Sequence, residues 1–211
     1  TFGDITDTDI KAFINHMLDN NPGALIASLM TDDNNNNDFA VYGSNLDNSR
    51  FPVFTNVNLD RLDLRYSRVR GGAASGDDTY VIPRNTFQST INLRYILIDS
   101  GNLLTNPIHP DALTDVQKLY YFWYRSYNRT GGNLPSFASN PELRHIWVHH
   151  NAFTGVVPNL ASNQSIYYAR FSNNRLSGQV PTYRNLSKLR YLFLYNNQFT
   201  GIGDFENIGS C

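Results

Sequence analysis

The stretch LRHIWVHHNAFTGVVP, residues 143–158, decides the fold of this 211-residue chain. It returns as IYYARFSNNRLSGQVP at 166–181 and as LRYLFLYNNQFTGIGD at 189–204, each copy 23 residues after the last and without gaps. Three residue types keep their places in that period: Asn at 151, 174 and 197, Gly at 155, 178 and 201, and Pro at 135, 158 and 181. A fixed period of this length indicates a solenoid, in which each unit buries its apolar side against the next.

The period extends toward the N-terminus. Asn128, Gly132 and Pro135 place a fourth unit in register, and weaker copies begin at Leu93 and Leu59 after longer insertions, one of them at 71–82. We therefore expect about six units within a solenoid domain at residues 51–211. A seventh strand is due one period after Leu189, just past the last residue. We expect an uncapped C-terminal end, covered by further repeats or by another subunit.

These units resemble the leucine-rich repeat family, whose unit reads L-x-x-L-x-L-x-x-N-x-L, and the endings FTGVVP and LSGQVP resemble its (T/S)-G-x-(I/V)-P variant. The resemblance covers residues 59–211. It implies an α/β solenoid with a parallel β-sheet on its concave face and irregular convex segments. Residues 1–50 do not follow the period, but apolar residues at 10, 13, 14, 17 and 18 recur at helical spacing. They predict an amphipathic helix in an N-terminal cap region.

Alternation along each strand predicts which side chains face the core. Leu143, Ile146 and Val148 are expected to point inward, which sends His145, Trp147 and His149 to the concave surface. The repeated Asn that follows can hydrogen-bond buried backbone of the turn, so its expected role is structural. The same phase gives the full set of candidate ligand-binding residues: Tyr121, Trp123, Arg125, His145, Trp147, His149, Tyr168, Arg170, Tyr191, Phe193 and Tyr195.

These candidates predict a continuous aromatic strip, because adjacent strands lie about 4.8 Å apart and equivalent side chains stack. The unit from Leu119 is one residue longer than its counterparts, and a slip there would exchange the two faces; the preferred alignment exposes Tyr121, Trp123 and Arg125. Stacked rings stabilise a sheet by themselves. The concentration of Trp, Tyr and Arg, however, is typical of binding hot spots and favours recognition.

The chain shows no catalytic apparatus. Asp63 and Asp99 share their face with arginines and Tyr95, which predicts a solvated charged face and not a catalytic carboxylate pair. His145 and His149 are about 13 Å apart on one strand, with Trp147 between them, so no metal site is expected. A catalytic triad is not visible, and Gly71-Gly72 lacks a P-loop lysine. We expect no catalytic residue, no metal, no cofactor and no enzymatic activity.

The composition of the chain limits the classes of partner that are expected. The net charge is -1 and the pI is near 6.5, so no nucleic-acid partner is expected. No run of 18 apolar residues predicts membrane insertion. The lone cysteine, Cys211, excludes an intrachain disulfide. Three glycosylation sequons, at Asn128, Asn163 and Asn185, matter only if the chain passes through a eukaryotic secretory pathway.

The resemblance implies a non-enzymatic recognition or assembly module whose concave aromatic face contacts a protein or glycan. Similar plant extracellular repeats carry paired cysteines in their caps, and this chain has none. Its sequence, rich in Asn and Tyr, more closely resembles the repeat modules of bacteriophage structural proteins or bacterial adhesins. The favoured interpretation is a virion or cell-surface protein, in a tail fibre, baseplate or adhesin, that binds a host-surface protein or glycan. Two alternatives stay open: an architectural solenoid packed against other subunits, and a secreted or cell-surface leucine-rich repeat receptor or inhibitor.

Overall fold

The structure is a computed structural model, and it describes residues 38–40, 54, 57–65, 79–99 and 104–203. These residues form strands, turns and extended segments, and none of them is helical. The helix predicted near residues 10–18 lies outside the described residues, as does Cys211. Within the described residues, the parallel sheet of the predicted α/β class is found and no helix is.

In the described part of the chain, nine strands make up two parallel sheets. They are β1 (Asp38–Ala40), β2 (Arg61–Arg65), β3 (Tyr95–Asp99), β4 (Tyr121–Arg125), β5 (His145–Trp147), β6 (Tyr168–Arg170), β7 (Ser177–Val180), β8 (Tyr191–Phe193) and β9 (Gln198–Ile202). The larger sheet has seven strands in the order β1-β2-β3-β4-β5-β6-β8, and the smaller one pairs β7 with β9. Because the larger sheet follows chain order, every unit of the repeat contributes one rung to it.

The register of the larger sheet follows the sequence repeat. Tyr121 pairs with His145, His145 with Tyr168, and Tyr168 with Tyr191. One step along, Trp123 pairs with Trp147. The unit from Leu119 therefore has the alignment that was preferred from the sequence, and its extra residue is accommodated outside the strand. Equivalent side chains of successive units stand side by side on the same face.

The smaller sheet lies in segments that were predicted to be irregular. Ser177 pairs with Gln198 and Val180 with Ile202, with a register shift between Gly178 and Gln179. An isolated parallel bridge joins Asn133 to Thr154 in the two preceding units. Where a segment of one unit is extended, the equivalent segment of the next unit lies beside it. Their backbone N–H and C=O groups then form hydrogen bonds with each other. The prediction of wholly irregular segments after the turn was wrong for this part.

The core is a single apolar cluster enclosed by the turns of the solenoid. Leu143, Ile146 and Val148 are fully buried, as the alternation predicted. Phe153 and Leu160, from the turn and the return segment of the same unit, are also fully buried. Removing one such side chain from water contributes about 1.5–3 kcal/mol. Each unit covers the apolar side chains of its neighbour, and this packing fixes the position of the concave face.

The repeated asparagines form an inner hydrogen-bond ladder. Asn151 Nδ2 donates to the carbonyl oxygens of Tyr124 and Val148, both at 2.9 Å. Asn174 repeats this geometry one unit later, toward Val148 and Phe171, at 2.8 and 3.0 Å. The residue before each asparagine, such as His150, has a positive φ, which turns the chain away from the strand. The predicted structural role of these asparagines is found.

Candidate binding surface

The concave face carries the aromatic strip, defined as the rings of Tyr121, Trp123, His145, Trp147, Tyr168, Tyr191 and Phe193. Along the first row, ring centroids are 5.2 Å apart for Tyr121 and His145, and 5.7 Å apart for Tyr168 and Tyr191. In the second row, the two tryptophan centroids are 5.3 Å apart. These separations are those of favourable aromatic pairs. The strip crosses four strands without a break.

Trp147 lies at the centre of the strip and links its two rows. Its ring stacks on Tyr168 at 4.9 Å with an interplanar angle of 21°. It also contacts Tyr121 at 6.2 Å and Trp123 at 5.3 Å. Exposure increases toward the last unit, where Tyr191 is 48% exposed and Tyr195 is 51% exposed. The strip therefore offers a rigid centre and a more open end.

The two strands that precede the strip, β2 and β3, each carry a buried carboxylate that pairs with arginine. Asp63 is fully buried and forms ion pairs with Arg61 at 3.1 Å and with Arg65 at 2.7 Å. The Arg65 guanidinium lies 5.3 Å from the centroid of the Trp123 ring. Asp99 is also buried, at 1% exposure. The prediction of a solvated charged face was wrong here, because flanking arginines and rings cover the carboxylates, and buried charges need partners.

Two arginines of the candidate set are fixed by hydrogen bonds. Arg125 donates from Nε to Asp99 at 3.0 Å and from Nη2 to the Tyr127 hydroxyl at 2.9 Å. Arg170 donates from Nη2 to the Tyr195 hydroxyl at 3.2 Å, and its guanidinium lies 5.7 Å from the Phe193 centroid. Hydrogen bonds from Ser172 and then Arg170 lower the pKa of the Tyr195 hydroxyl. These guanidinium groups are preorganised, so little side-chain entropy is lost when a ligand contacts them.

His149 departs from the predicted exposed position. Strand β5 ends at Trp147, and His149 is only 4% exposed, packed edge-on against the Trp147 ring. Burial, with Arg170, Arg125 and His150 nearby, lowers the pKa of His149 to about 3. A neutral, buried imidazole belongs to the floor of the strip and offers no surface to a ligand. Strict alternation failed because it was continued past the end of the strand.

Three polar atoms under the strip have no hydrogen-bond partner. They are Trp123 Nε1, Trp147 Nε1 and His149 Nδ1, all buried. Buried indole N–H groups usually find an acceptor, so these two donors are exceptions. The strip therefore combines apolar area with unused hydrogen-bonding capacity.

Within the described part of the chain, no group of three or more His, Cys, Asp or Glu side chains is arranged to hold a metal ion. The described residues also contain no helix that is long and apolar enough to span a membrane.

A second surface, the cationic groove, lies at the edge of the sheet where the strands begin. It has a volume of about 540 Å³ and is lined by Tyr120, Arg144, His145, Ser165, Tyr167, Lys188 and Arg190. Only His145 was among the residues proposed from the sequence. The others precede the strands, and an analysis of strand alternation does not assign a face to them. Four of them occupy the position directly before a strand: Tyr120, Arg144, Tyr167 and Arg190. This repeated position in the sequence could have identified them as neighbours on one edge of the sheet.

The sequence matches no protein-family profile, and no curated protein matches it significantly. The fold, in contrast, is similar to solved structures. The Arabidopsis receptor kinase HAESA, solved in complex with the peptide hormone IDA and the co-receptor SERK1, aligns over 68% of this chain with a TM-score of 0.55 and 21% identity. A TDR receptor aligns over 76% of it with a TM-score of 0.50 and 21% identity. The fold is a leucine-rich repeat solenoid.

This leucine-rich repeat solenoid spans 22% of the HAESA chain and 31% of the TDR receptor chain. At this identity the likeness concerns the fold and not the ligand. An internalin C2 from Listeria monocytogenes aligns over 77% of this chain and 74% of its own, at 13% identity and a TM-score of 0.42. That similarity is too low to carry an argument.

Proposed function

We propose that this leucine-rich repeat solenoid is a non-enzymatic recognition module that binds a peptide segment of a protein partner along the aromatic strip. The observation that carries the proposal is the unbroken strip with Trp147 at its centre. Trp, Tyr and Arg dominate binding hot spots because they combine large contact areas with directional polar groups. Held side by side on a rigid sheet, they lose little conformational freedom on binding.

The two unpartnered indole N–H groups favour a peptide as the ligand. A peptide backbone supplies carbonyl acceptors at regular intervals, and these match the donors that the two indole N–H groups provide. The similar fold of HAESA was solved with a peptide hormone. That relationship supports the proposal by analogy of fold only.

Our proposal includes the setting in which the module works. The similar fold of the receptor kinase HAESA, solved with a peptide hormone and a co-receptor, supports an extracellular site of action by analogy of fold only. The absence of paired cysteines and the Asn- and Tyr-rich sequence favour a virion or bacterial-surface protein over a plant receptor. In that setting the partner is a host-surface protein.

A selection with a random 12-residue peptide display library tests the proposal. The immobilised wild-type chain is compared with Trp147→Ala and Phe193→Ala. Val156→Ala is the matched control, because Val156 is 62% exposed and lies outside the strip. We expect enriched peptides to bind wild type and the control equally, and both strip variants about tenfold more weakly. Circular dichroism confirms that each variant is folded.

Two other outcomes would replace the proposal. Binding on a glycan array that is lost in the strip variants, with no peptide enriched, identifies the strip as a carbohydrate site. Loss of a wild-type oligomer in both strip variants, measured by analytical ultracentrifugation, identifies it as a contact between subunits. Equal peptide binding by wild type and both strip variants removes the strip from the binding site.

A further inference from the structure

The cationic groove concentrates positive charge in a chain whose net charge is -1. Arg144, Lys188 and Arg190 line it, and no carboxylate does. In the part of the chain that the structure describes, none of the three forms an ion pair. Earlier on the same edge, Arg94 donates to Asp60 at 2.5 and 3.1 Å, so the same position is neutralised there. The charge of the groove is therefore a local feature of the last units.

The cations of the groove are positioned by the structure. The Arg144 guanidinium lies 5.1 Å from the centroid of the Tyr120 ring. Arg190 Nη1 donates to the carbonyl oxygens of Ser187 and Leu189, at 2.9 and 3.2 Å. These contacts leave further N–H donors of both guanidinium groups for a ligand. Guanidinium groups bind carboxylates through paired, charge-assisted hydrogen bonds.

The walls of the groove continue into the aromatic strip. His145 belongs to both surfaces, and its ring is 5.9 Å from Tyr120 and 6.1 Å from Tyr167. On the far side, Tyr167 contacts the ring of Tyr191 at 5.6 Å. A chain that lies on the strip therefore reaches the groove without leaving the surface.

We infer that the cationic groove binds the carboxylates of an acidic segment within the peptide partner that occupies the aromatic strip. This inference rests on the proposed function and adds the chemistry and direction of the partner, since the acidic segment lies toward the edge where the strands begin. Arg144 and Arg190 are two strand spacings apart, about 10 Å, a distance that two or three acidic side chains span. Three cations are too few for a polynucleotide, whose binding typically neutralises six to ten phosphates.

His145 fits this assignment. Burial, and then the charge of Arg144, lower the pKa of His145, so its imidazole is neutral at pH 7. A neutral imidazole still offers one N–H donor, and it adds no like charge to the arginines. A carboxylate bound beside it favours the protonated form, so binding is expected to raise this pKa.

The test uses two fluorescein-labelled octapeptides that contain Tyr and Gly and differ only in three central residues, Glu in one and Gln in the other. Fluorescence anisotropy measures their binding to wild type and to the Arg144→Gln/Arg190→Gln variant. The control is Arg129→Gln/Arg175→Gln, which removes the same charge from exposed sites outside the groove. We expect the Glu peptide to bind wild type and control at least about tenfold more tightly than it binds the groove variant, with the Gln peptide weak throughout.

Each contrary result has a distinct meaning. No binding of the Glu peptide to wild type up to about 1 mM, equal binding of the two peptides, or an equal loss in the control overturns the groove assignment. A single-stranded oligonucleotide that competes more strongly than the Glu peptide, with the same dependence on the arginines, identifies a nucleic-acid site and also overturns it. If Trp147→Ala leaves Glu-peptide binding unchanged while the groove variant abolishes it, the groove binds acidic peptides and the proposed role of the strip fails.

Discussion

Asn151 Oδ1 accepts two hydrogen bonds from Ser126 of the preceding unit, from its backbone N–H at 2.6 Å and from its hydroxyl at 2.7 Å. The Ser126 hydroxyl in turn accepts a hydrogen bond from the Thr130 N–H at 2.8 Å. The side chain of Asn151 also donates to two backbone carbonyls. One buried amide thus supplies the backbone partners that two successive turns lack, which makes the solenoid cooperative between units.

We predict that Asn151→Ala lowers the free energy of unfolding by about 3 kcal/mol or more, because several buried polar groups lose their partner at once. Urea denaturation followed by circular dichroism measures the loss. Asn197→Ala is the matched comparison, since Asn197 is half-buried, its Nδ2 makes the equivalent contacts with two carbonyl oxygens, and its Oδ1 accepts a single hydrogen bond, from the Leu176 N–H. We expect about 1 kcal/mol there. Equal losses at the two positions would contradict the argument from burial.

Gly155→Ala is predicted to destabilise the chain by about 1–2 kcal/mol. Gly155 has φ of +77°, and an added Cβ would lie 2.4 Å from Asn133 Oδ1. Gly201→Ala, one period away from the equivalent Gly178, meets only Gln179 Cγ at 3.7 Å, and the backbone at Gly201 is not left-handed. Its free energy of unfolding, from urea denaturation, is expected to stay within about 0.5 kcal/mol of wild type. A Gly155→Ala variant as stable as wild type would refute the predicted strain.

The stability of the fold is predicted to decrease as the pH falls from 7 to 5, in part through His149. Its pKa is lowered to about 3 in the folded chain, while an unfolded histidine titrates near 6.5. Below pH 6.5 the unfolded state binds a proton that the folded state does not. The free energy of unfolding therefore decreases by up to about 2 kcal/mol by pH 5.

His149→Phe isolates this contribution, because the replacement keeps a ring against Trp147 and cannot be protonated. The difference in unfolding free energy between pH 7 and pH 5 should be smaller in this variant than in wild type, by about 1–2 kcal/mol. His145→Phe is a useful comparison, since the pKa of His145 is also lowered but its ring is less buried. A His149→Phe profile that parallels wild type would show that His149 titrates normally.

Only two of the three sequons are predicted to carry a glycan in folded protein secreted from eukaryotic cells. Asn163 is fully buried, and its Nδ2 donates to the carbonyl oxygens of Phe137 and Asn140 at 2.9 and 2.8 Å. A glycan on that nitrogen replaces one of its two hydrogens, so at least one of these hydrogen bonds is lost, and the fully buried site has no room for a sugar. Asn128 and Asn185 are exposed. Mass spectrometry after enzymatic deglycosylation in ¹⁸O water measures occupancy, and modified Asn163 in folded material would contradict the structure.

Much of the concave surface could be predicted from the sequence, and the errors have physical causes. The alternation placed Trp123 beside Trp147 and His145 beside Tyr168, because strand geometry and a constant period fix relative positions. Alternation predicts the face of the sheet to which a side chain points, but not how deeply that side chain is buried. It could not show that ion pairs with Arg61 and Arg65 accompany the burial of Asp63, or that His149, beyond the end of β5, packs against the Trp147 ring.

The sequence by itself determined the periodic core, the asparagine ladder and the order of the strands, because a repeat of constant length gives each residue type the same environment in every unit. Only the tertiary structure decided the register of the unit from Leu119, the pairing of β7 with β9 and the closure of the cationic groove. Those features arise where side chains and backbone of neighbouring units meet across the sheet. Distances between units are set by packing, and packing is not encoded in the period of any single unit.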